Sequence, residues 1–188
     1  MVYDGVQSLR LARHRSRKGH CMALRPWKTL TTRPVYANKW IRVREDTAAL
    51  PNGATTLYGV VSIGHAAGVL PFVDADHVLL VRQYRYVFAE AHRWEIPTGG
   101  LHPGEAAEAG ALRELQEEIG YTARSLEWIS TFYSSKSVCE EVCHLYIGRD
   151  LLLAALPADA TEEIEVATFA FADALEMVRT SEIRDAMS

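Results

Sequence analysis

The stretch "GGLHPGEAAEAGALRELQEEIGY", residues 99–121, constrains this chain more than any other. It carries Glu105, Glu108, Glu114, Glu117 and Glu118 against a single cation, Arg113. Residues 105–119 can form a helix of about four turns, and Gly120 stands where a C-terminal cap belongs. Leu112, Leu115 and Ile119 share one side, which marks that side as core-facing. Glu114, Glu117 and Glu118 fall roughly opposite. Like charges at these spacings oppose helix formation by roughly 0.2–0.5 kcal/mol per pair. Arg113, one turn before Glu117, offsets one of them, and the rest need a further cation. A hard divalent ion bound by carboxylate oxygens fits, and Mg²⁺ suits a site that also receives phosphate. A solvated acidic face is the competing explanation. Gly99, Gly100 and Gly104 weigh against it, because a glycine loop lets backbone amides and carbonyls approach a ligand closely.

The rest of the chain supplies the setting. Its 188 residues, 48% hydrophobic, suit one compact domain with a small extra lobe. A formal net charge of -4 suggests neither a nucleic-acid nor a membrane binder. Cysteine is sparse, at Cys21, Cys139 and Cys143, so a reducing cytoplasm is the expected location. "CEEVCH" at 139–144 lacks a second ligand pair at zinc spacing and reads as strand. Residues 1–25 are rich in Arg and Lys and are expected to be a disordered basic tail.

From Trp27 onward the pattern is strand-like. "PVYANKWIRVRED" and "TTLYGVVSIG" read as two runs of an antiparallel meander around the turn "PNG" at 51–53. "VLPFVDADHVLLVRQYRY" predicts two strands joined at "DADH", and "RWEIP" a short extended piece ended by Pro97. "SLEWISTFYSS", "EVCHLYIGRDL" and "IEVATFAF" predict strands. "ADALEMVRTSEIRDAMS" has helical period, with Ala174, Met177 and Val178 on one side. The expected class is mixed α/β, β-rich up to about residue 65.

The acidic stretch resembles the Nudix box, G-x5-E-x7-R-E-U-x-E-E-x-G-U with U aliphatic. Gly99, Glu105, Arg113, Glu114, Leu115, Glu117, Glu118 and Gly120 fall on it without a gap, and Tyr121 replaces the final aliphatic residue. The resemblance implies an α/β/α sandwich around a mixed sheet and hydrolysis of a nucleoside diphosphate linked to another group. It implies Glu114 and Glu118 as principal metal ligands. Glu117 is implied as a further ligand or as a partner of Arg113, which orients the glutamates. The resemblance also implies that Glu105 supports the helix start and that the Thr98 carbonyl reaches the metal.

Over residues 26–187, "NKWIRVRED", "VLLVRQYRY", "RWEIPTGG" and "HLYIGRDL" resemble the ADP-ribose and nucleoside-diphosphate-sugar pyrophosphatase branch of that family. The resemblance implies an N-terminal β piece, 26–65, exchanged across a homodimer, and a hydrolase domain over 66–188. It implies that Arg85 contacts the pyrophosphate and that Glu95 lines the same pocket. As residues alone, Arg85 also fits a surface cation and Glu95 a solvated carboxylate. Trp40 and Tyr58 offer faces for a base, and each also fits a core or interface position. The general base is implied in "SSKSVCEEV", with Glu141 first, Glu140 second and a box glutamate third.

The expected reaction is Mg²⁺-dependent cleavage of a nucleoside diphosphate sugar, ADP-ribose or a related ADP-sugar, to AMP and sugar phosphate. Mn²⁺ is an expected substitute for Mg²⁺. The branch has a proline-bearing loop where this chain has Ser135, Lys136 and Ser137, so Lys136 is a candidate phosphate contact or a solvent cation. That departure keeps dinucleotides and nucleoside triphosphates open as substrates, and a non-catalytic nucleotide sensor as a third reading.

Overall fold

A computed structural model describes residues 25–91, 93–157 and 163–188. The expected basic tail lies almost wholly outside the described residues. The chain enters as a three-stranded antiparallel sheet of β1 (Lys28–Ala37), β2 (Arg42–Ala49) and β3 (Thr55–Ser62). The run "PVYANKWIRVRED" is therefore two strands, where the sequence pattern suggests one. Asn38 makes the break. Its side-chain oxygen accepts the N–H groups of Trp40 and Ile41, both at 2.8 Å, and its own N–H donates to the Ile41 carbonyl at 3.0 Å. Asparagine turns of this type need no glycine or proline, and the aromatic and aliphatic residues continue straight through the corner. The "PNG" turn behaves as expected, with the Leu50 N–H donating to the Ala54 carbonyl at 2.9 Å.

The central sheet has the order β8 (Thr98–Gly100), β4 (His65–Pro71), β10 (Val142–Leu153), β9 (Tyr121–Phe132). β4 and β10 run parallel and the other pairs antiparallel, so the sheet is mixed. Beside it, β5 (His77–Arg82) pairs with β11 (Glu165–Ala170). The short strands β6 (Tyr84–Arg85) and β7 (Glu90–Ala91) form a ribbon.

Period-two alternation sorts the side chains into two cores. Leu79 and Val81 of β5, Ala67 and Val69 of β4 and Tyr146 of β10 pack with Ala111 and Leu115 of α1 (Ala107–Glu118). Val78 and Leu80, with Leu145 and Ile147 alongside, pack with Ala174 and Met177 of α2 (Phe171–Arg179). Helices thus cover both faces, giving the expected α/β/α sandwich. α2 stops well short of the helical period read to the end of the chain. Ser181 is in the left-handed region at φ 62°, and the N–H groups of Glu182 and Ile183 turn back onto the Met177 carbonyl. Ala174 and Met177 are buried as expected, whereas Val178 is exposed. Among the described residues no helix is long and apolar enough to cross a membrane.

Candidate active site

α1 is anchored by Leu115 and Ala111 in the core, and this fixes which glutamates can face β8. Ile119 closes the last turn, and Gly120 at φ 75° lets the chain turn directly into β9. The acidic side is not a free surface. Glu114 and Glu118 are each only 8% exposed, turned in against the loop that begins at β8. Gly99 is required there, because a Cβ at that position would lie 2.1 Å from the Glu114 carboxylate carbon. The Thr98 N–H donates to Glu118 Oε2 at 3.1 Å.

Arg113 does more than offset one neighbour. A guanidinium has five N–H donors, and all are used here. Nε and one Nη2 hydrogen go to Glu105, each at 2.9 Å. Nη1 reaches Glu114 at 2.7 Å and Glu117 at 2.8 Å, and Nη2 also reaches the Gly100 carbonyl at 2.9 Å. One cation therefore joins three carboxylates to the glycine loop. The Arg113 contact, with the His102 N–H in support, holds the Glu105 carboxyl down at about 2. Glu105 and its neighbours in turn hold Arg113 firmly charged.

Two nine-tenths-buried carboxylates one helical turn apart, sharing a loop, suit a hard divalent ion bound through oxygen. The residues that would hold it are Glu114 and Glu118, with Glu117 and the backbone of Thr98 adjacent. Among the described residues no three acidic, His or Cys side chains converge into a ready-made metal centre. Cys143 is buried on β10 as expected, whereas Cys139 lies in the loop ahead of it, bridged to Val61 by backbone.

Arg85 and Glu95 come together. Arg85 Nε and Nη2 bond Glu95 Oε1 at 2.9 and 2.6 Å, which leaves the guanidinium partly exposed and aimed by a buried carboxylate. Residues 133–141, between β9 and β10, lean on the N-terminal sheet. Glu140 is gripped by Arg44 at 2.7 and 3.0 Å and accepts the Ser62 hydroxyl. Arg44, then Ser62, hold its carboxyl down at about 2. Glu141 lies beside the Cys143 thiol, which burial, then Glu141 and Asp185, push up to about 11. The strand register brings the loop of Glu141 to the end of β4 that adjoins Leu101.

A cavity of about 580 Å³ opens there, lined by Ser62, Gly64, His65, Tyr133, Lys136, Cys139 and Glu140. Lys136 thus faces a recess. Trp40 does not line it. That ring sits 68% exposed at the β1–β2 corner, with the Lys39 ammonium 4.0 Å above it. Tyr58 packs edge-on to Trp27 and donates to the Ser137 carbonyl at 2.8 Å. Sequence reasoning missed Arg44, Ser62 and His65, since their importance arises only from strand pairing.

Comparison with known proteins decides what this arrangement belongs to. The family model described as "NUDIX domain" matches residues 63–186, and the one described as "Nucleoside diphosphate sugar hydrolase N-terminal domain" matches residues 27–61. The chain belongs to the Nudix family. Among its curated relatives, the ADP-ribose pyrophosphatase of Bacillus subtilis is 35% identical over 161 residues, 85% of this chain and 86% of the relative. The methanol dehydrogenase activator of Bacillus methanolicus is 31% identical over 160 residues, 84% and 86% of the two chains. A solved structure titled as an ADP compounds hydrolase superposes with a TM-score of 0.78 at 23% identity, covering 87% of this chain and 89% of that one, and shows the shared fold. The chain is thus a Nudix pyrophosphohydrolase, and residues 99–121 are its Nudix box.

Proposed function

We propose that this Nudix enzyme cleaves the pyrophosphate bond of a nucleoside diphosphate sugar, ADP-ribose or a related ADP-sugar, with Mg²⁺ as cofactor and Mn²⁺ able to replace it. The observation that carries the reading is the pair of buried carboxylates, Glu114 and Glu118, set under a glycine loop and braced by Arg113. The names of the relatives support the choice of substrate class.

A bound divalent ion would neutralise pyrophosphate charge and acidify the attacking water. Glu114 and Glu118, with Glu117 and the Thr98 carbonyl, would hold that ion. Arg113 keeps the carboxylates in place, and Glu105 fastens Arg113 at the helix start. Arg85, aimed by Glu95, binds the pyrophosphate. Lys136 meets a phosphate from the cavity side, and Trp40, which lies outside this chain's cavity, would stack on the base across the proposed dimer. Glu141 accepts a proton from the water as its oxygen bonds to phosphorus and the bridging phosphorus–oxygen bond breaks, releasing AMP and sugar phosphate. Glu140 serves this role poorly, because a carboxyl held at about 2 by Arg44 is a weak base at neutral pH. Phosphorus NMR of a sugar-nucleotide, dinucleotide and triphosphate panel with Mg²⁺ tests the reading. AMP plus sugar phosphate supports it, and release of inorganic pyrophosphate from triphosphates alone overturns it. Binding without turnover in either metal would make the protein a sensor. Lys136, a cation where the sugar branch carries proline, leaves dinucleotides or nucleoside triphosphates as the second substrate class.

The same reading makes the enzyme a cytoplasmic homodimer. Every residue of β1 is exposed, and Leu30, Val35, Tyr36 and Leu57 present apolar surface on the meander. Light scattering at micromolar concentration should report twice the chain mass, and a monomer there refutes the dimer.

A further inference from the structure

The residues between β9 and β10 are fastened to the N-terminal sheet by contacts that the hydrolysis scheme does not use. In the backbone, the Val61 N–H donates to the Val138 carbonyl at 2.8 Å and the Glu140 N–H to the Val61 carbonyl at 2.9 Å. Val138–Glu140 thereby adds a short parallel piece beside β3, with Val61 facing Cys139. In the side chains, Arg44 Nη1 and Nη2 form a two-pronged bond to Glu140, and Arg44 Nε goes to Asp46 at 3.1 Å. Asp46 is buried, so it aims Arg44 much as Glu95 aims Arg85. Ser62 donates to the same Glu140 oxygen that Arg44 Nη1 contacts. One residue beyond Glu141, Val142 enters the sheet in register with His65 of β4. Glu141 is the single residue between two anchor points, one on the N-terminal sheet and one on the central sheet.

We propose that Arg44, Ser62 and Glu140 form a clasp of positioning residues through which the N-terminal sheet sets the place of Glu141 in the catalytic site. The inference rests on the reading of Glu141 as the base. Glu140 lines the cavity, but its carboxylate is taken up by Arg44 and Ser62. Its carboxylate is a tether, and Arg44, set in the sheet 96 residues earlier, is the post. A two-pronged arginine–carboxylate bond suits this task because it fixes orientation as well as distance. Small displacements of a catalytic group are costly to rate even when caused remotely.

The test uses the full chain with ADP-ribose and Mg²⁺. Glu140→Gln, Ser62→Ala and Arg44→Met are measured for kcat, KM and thermal midpoint, with Arg44→Lys as the conservative variant and Glu141→Gln as reference. Arg44→Met and Glu140→Gln should each lower kcat about tenfold to a hundredfold with KM within about twofold. Arg44→Lys should recover part of the loss, and the double variant should be no worse than the worse single one, because both break one bond. A purely structural role predicts instead a lower thermal midpoint with kcat intact. Wild-type kcat in Arg44→Met and Glu140→Gln, with Glu141→Gln inactive, overturns the clasp and leaves the base reading standing. Wild-type kcat in Glu141→Gln overturns the base reading, and the clasp with it. Should Arg44→Met not fold, Glu140→Gln and Ser62→Ala carry the same test.

Discussion

Two arginines organise two acidic clusters in this enzyme, and they do so over very different reaches of chain. Arg113 gathers Glu105, Glu114 and Glu117 from its own helix and the turn before it, with side chain 16% exposed. Arg44 gathers Asp46 from its own strand and Glu140 from 96 residues away, with side chain 34% exposed. The first cluster is a fixed part of one element and braces the carboxylates that would hold the metal. The second ties the N-terminal sheet to the loop ahead of β10. On the proposed reading, the local, buried cluster serves the metal site and the long-range, half-exposed one places the base.

Four experiments would break or sharpen this contrast. Glu118→Gln has the largest expected effect. Turnover should fall about a hundredfold while circular dichroism stays native, and near-normal turnover would remove Glu118 from the metal site. Gly99→Ala comes next. The new methyl meets the far end of the Glu114 side chain, so the fold can yield while the carboxylate is displaced. Steady-state kinetics should show a loss of about tenfold or more with little change in melting, and an unaffected rate would show Glu114 free to move.

Third, Arg113→Lys and Arg44→Lys differ in what they disrupt. An ammonium has at most three donors for the five bonds Arg113 makes. Denaturant unfolding should show a cost of roughly 1.5–3 kcal/mol for Arg113→Lys and of roughly 0–1 kcal/mol for Arg44→Lys. Equal costs would erase the distinction between the two centres.

The smallest effect concerns acid. Glu105 and Glu140 both fall from 4.5 to about 2 on folding. A carboxyl with a depressed folded value stabilises the protein fully above the unfolded value, and that stability is lost as pH falls from 4.5 toward about 2. Glu105 is 15% exposed and Glu140 49%, so solvent screens the second more. Melting measured against pH should therefore lose slope in that window for Glu105→Gln and change less for Glu140→Gln.

The same contrast explains what could be read from the sequence. The box glutamates, Arg113 and the core face of α1 depend on spacings within one helix, and their arrangement is visible in residues 99–121. The continuous apolar run Val78–Val81 and the "PNG" turn are equally local. The Asn38 corner was hidden because its turn is made by one side chain amid aromatic and aliphatic residues. The early end of α2 was hidden because the helical period runs on through residues that turn back onto Met177. The Arg44–Glu140 bond was hidden because only the pairing of β3 with residues 138–140 brings its partners together. Burial of Glu114 and Glu118 was also unforeseen, since the helix wheel shows the side they share but not the glycine loop that covers it.

The central claim is that Glu114 and Glu118 jointly hold a divalent ion. Crystals grown with Mn²⁺, with diffraction recorded at the manganese absorption edge, test it most directly. An anomalous peak is expected between these two carboxylates, within bonding reach of both, and it should vanish in Glu118→Gln. A peak seated elsewhere, or one that persists undiminished in that variant, would contradict it.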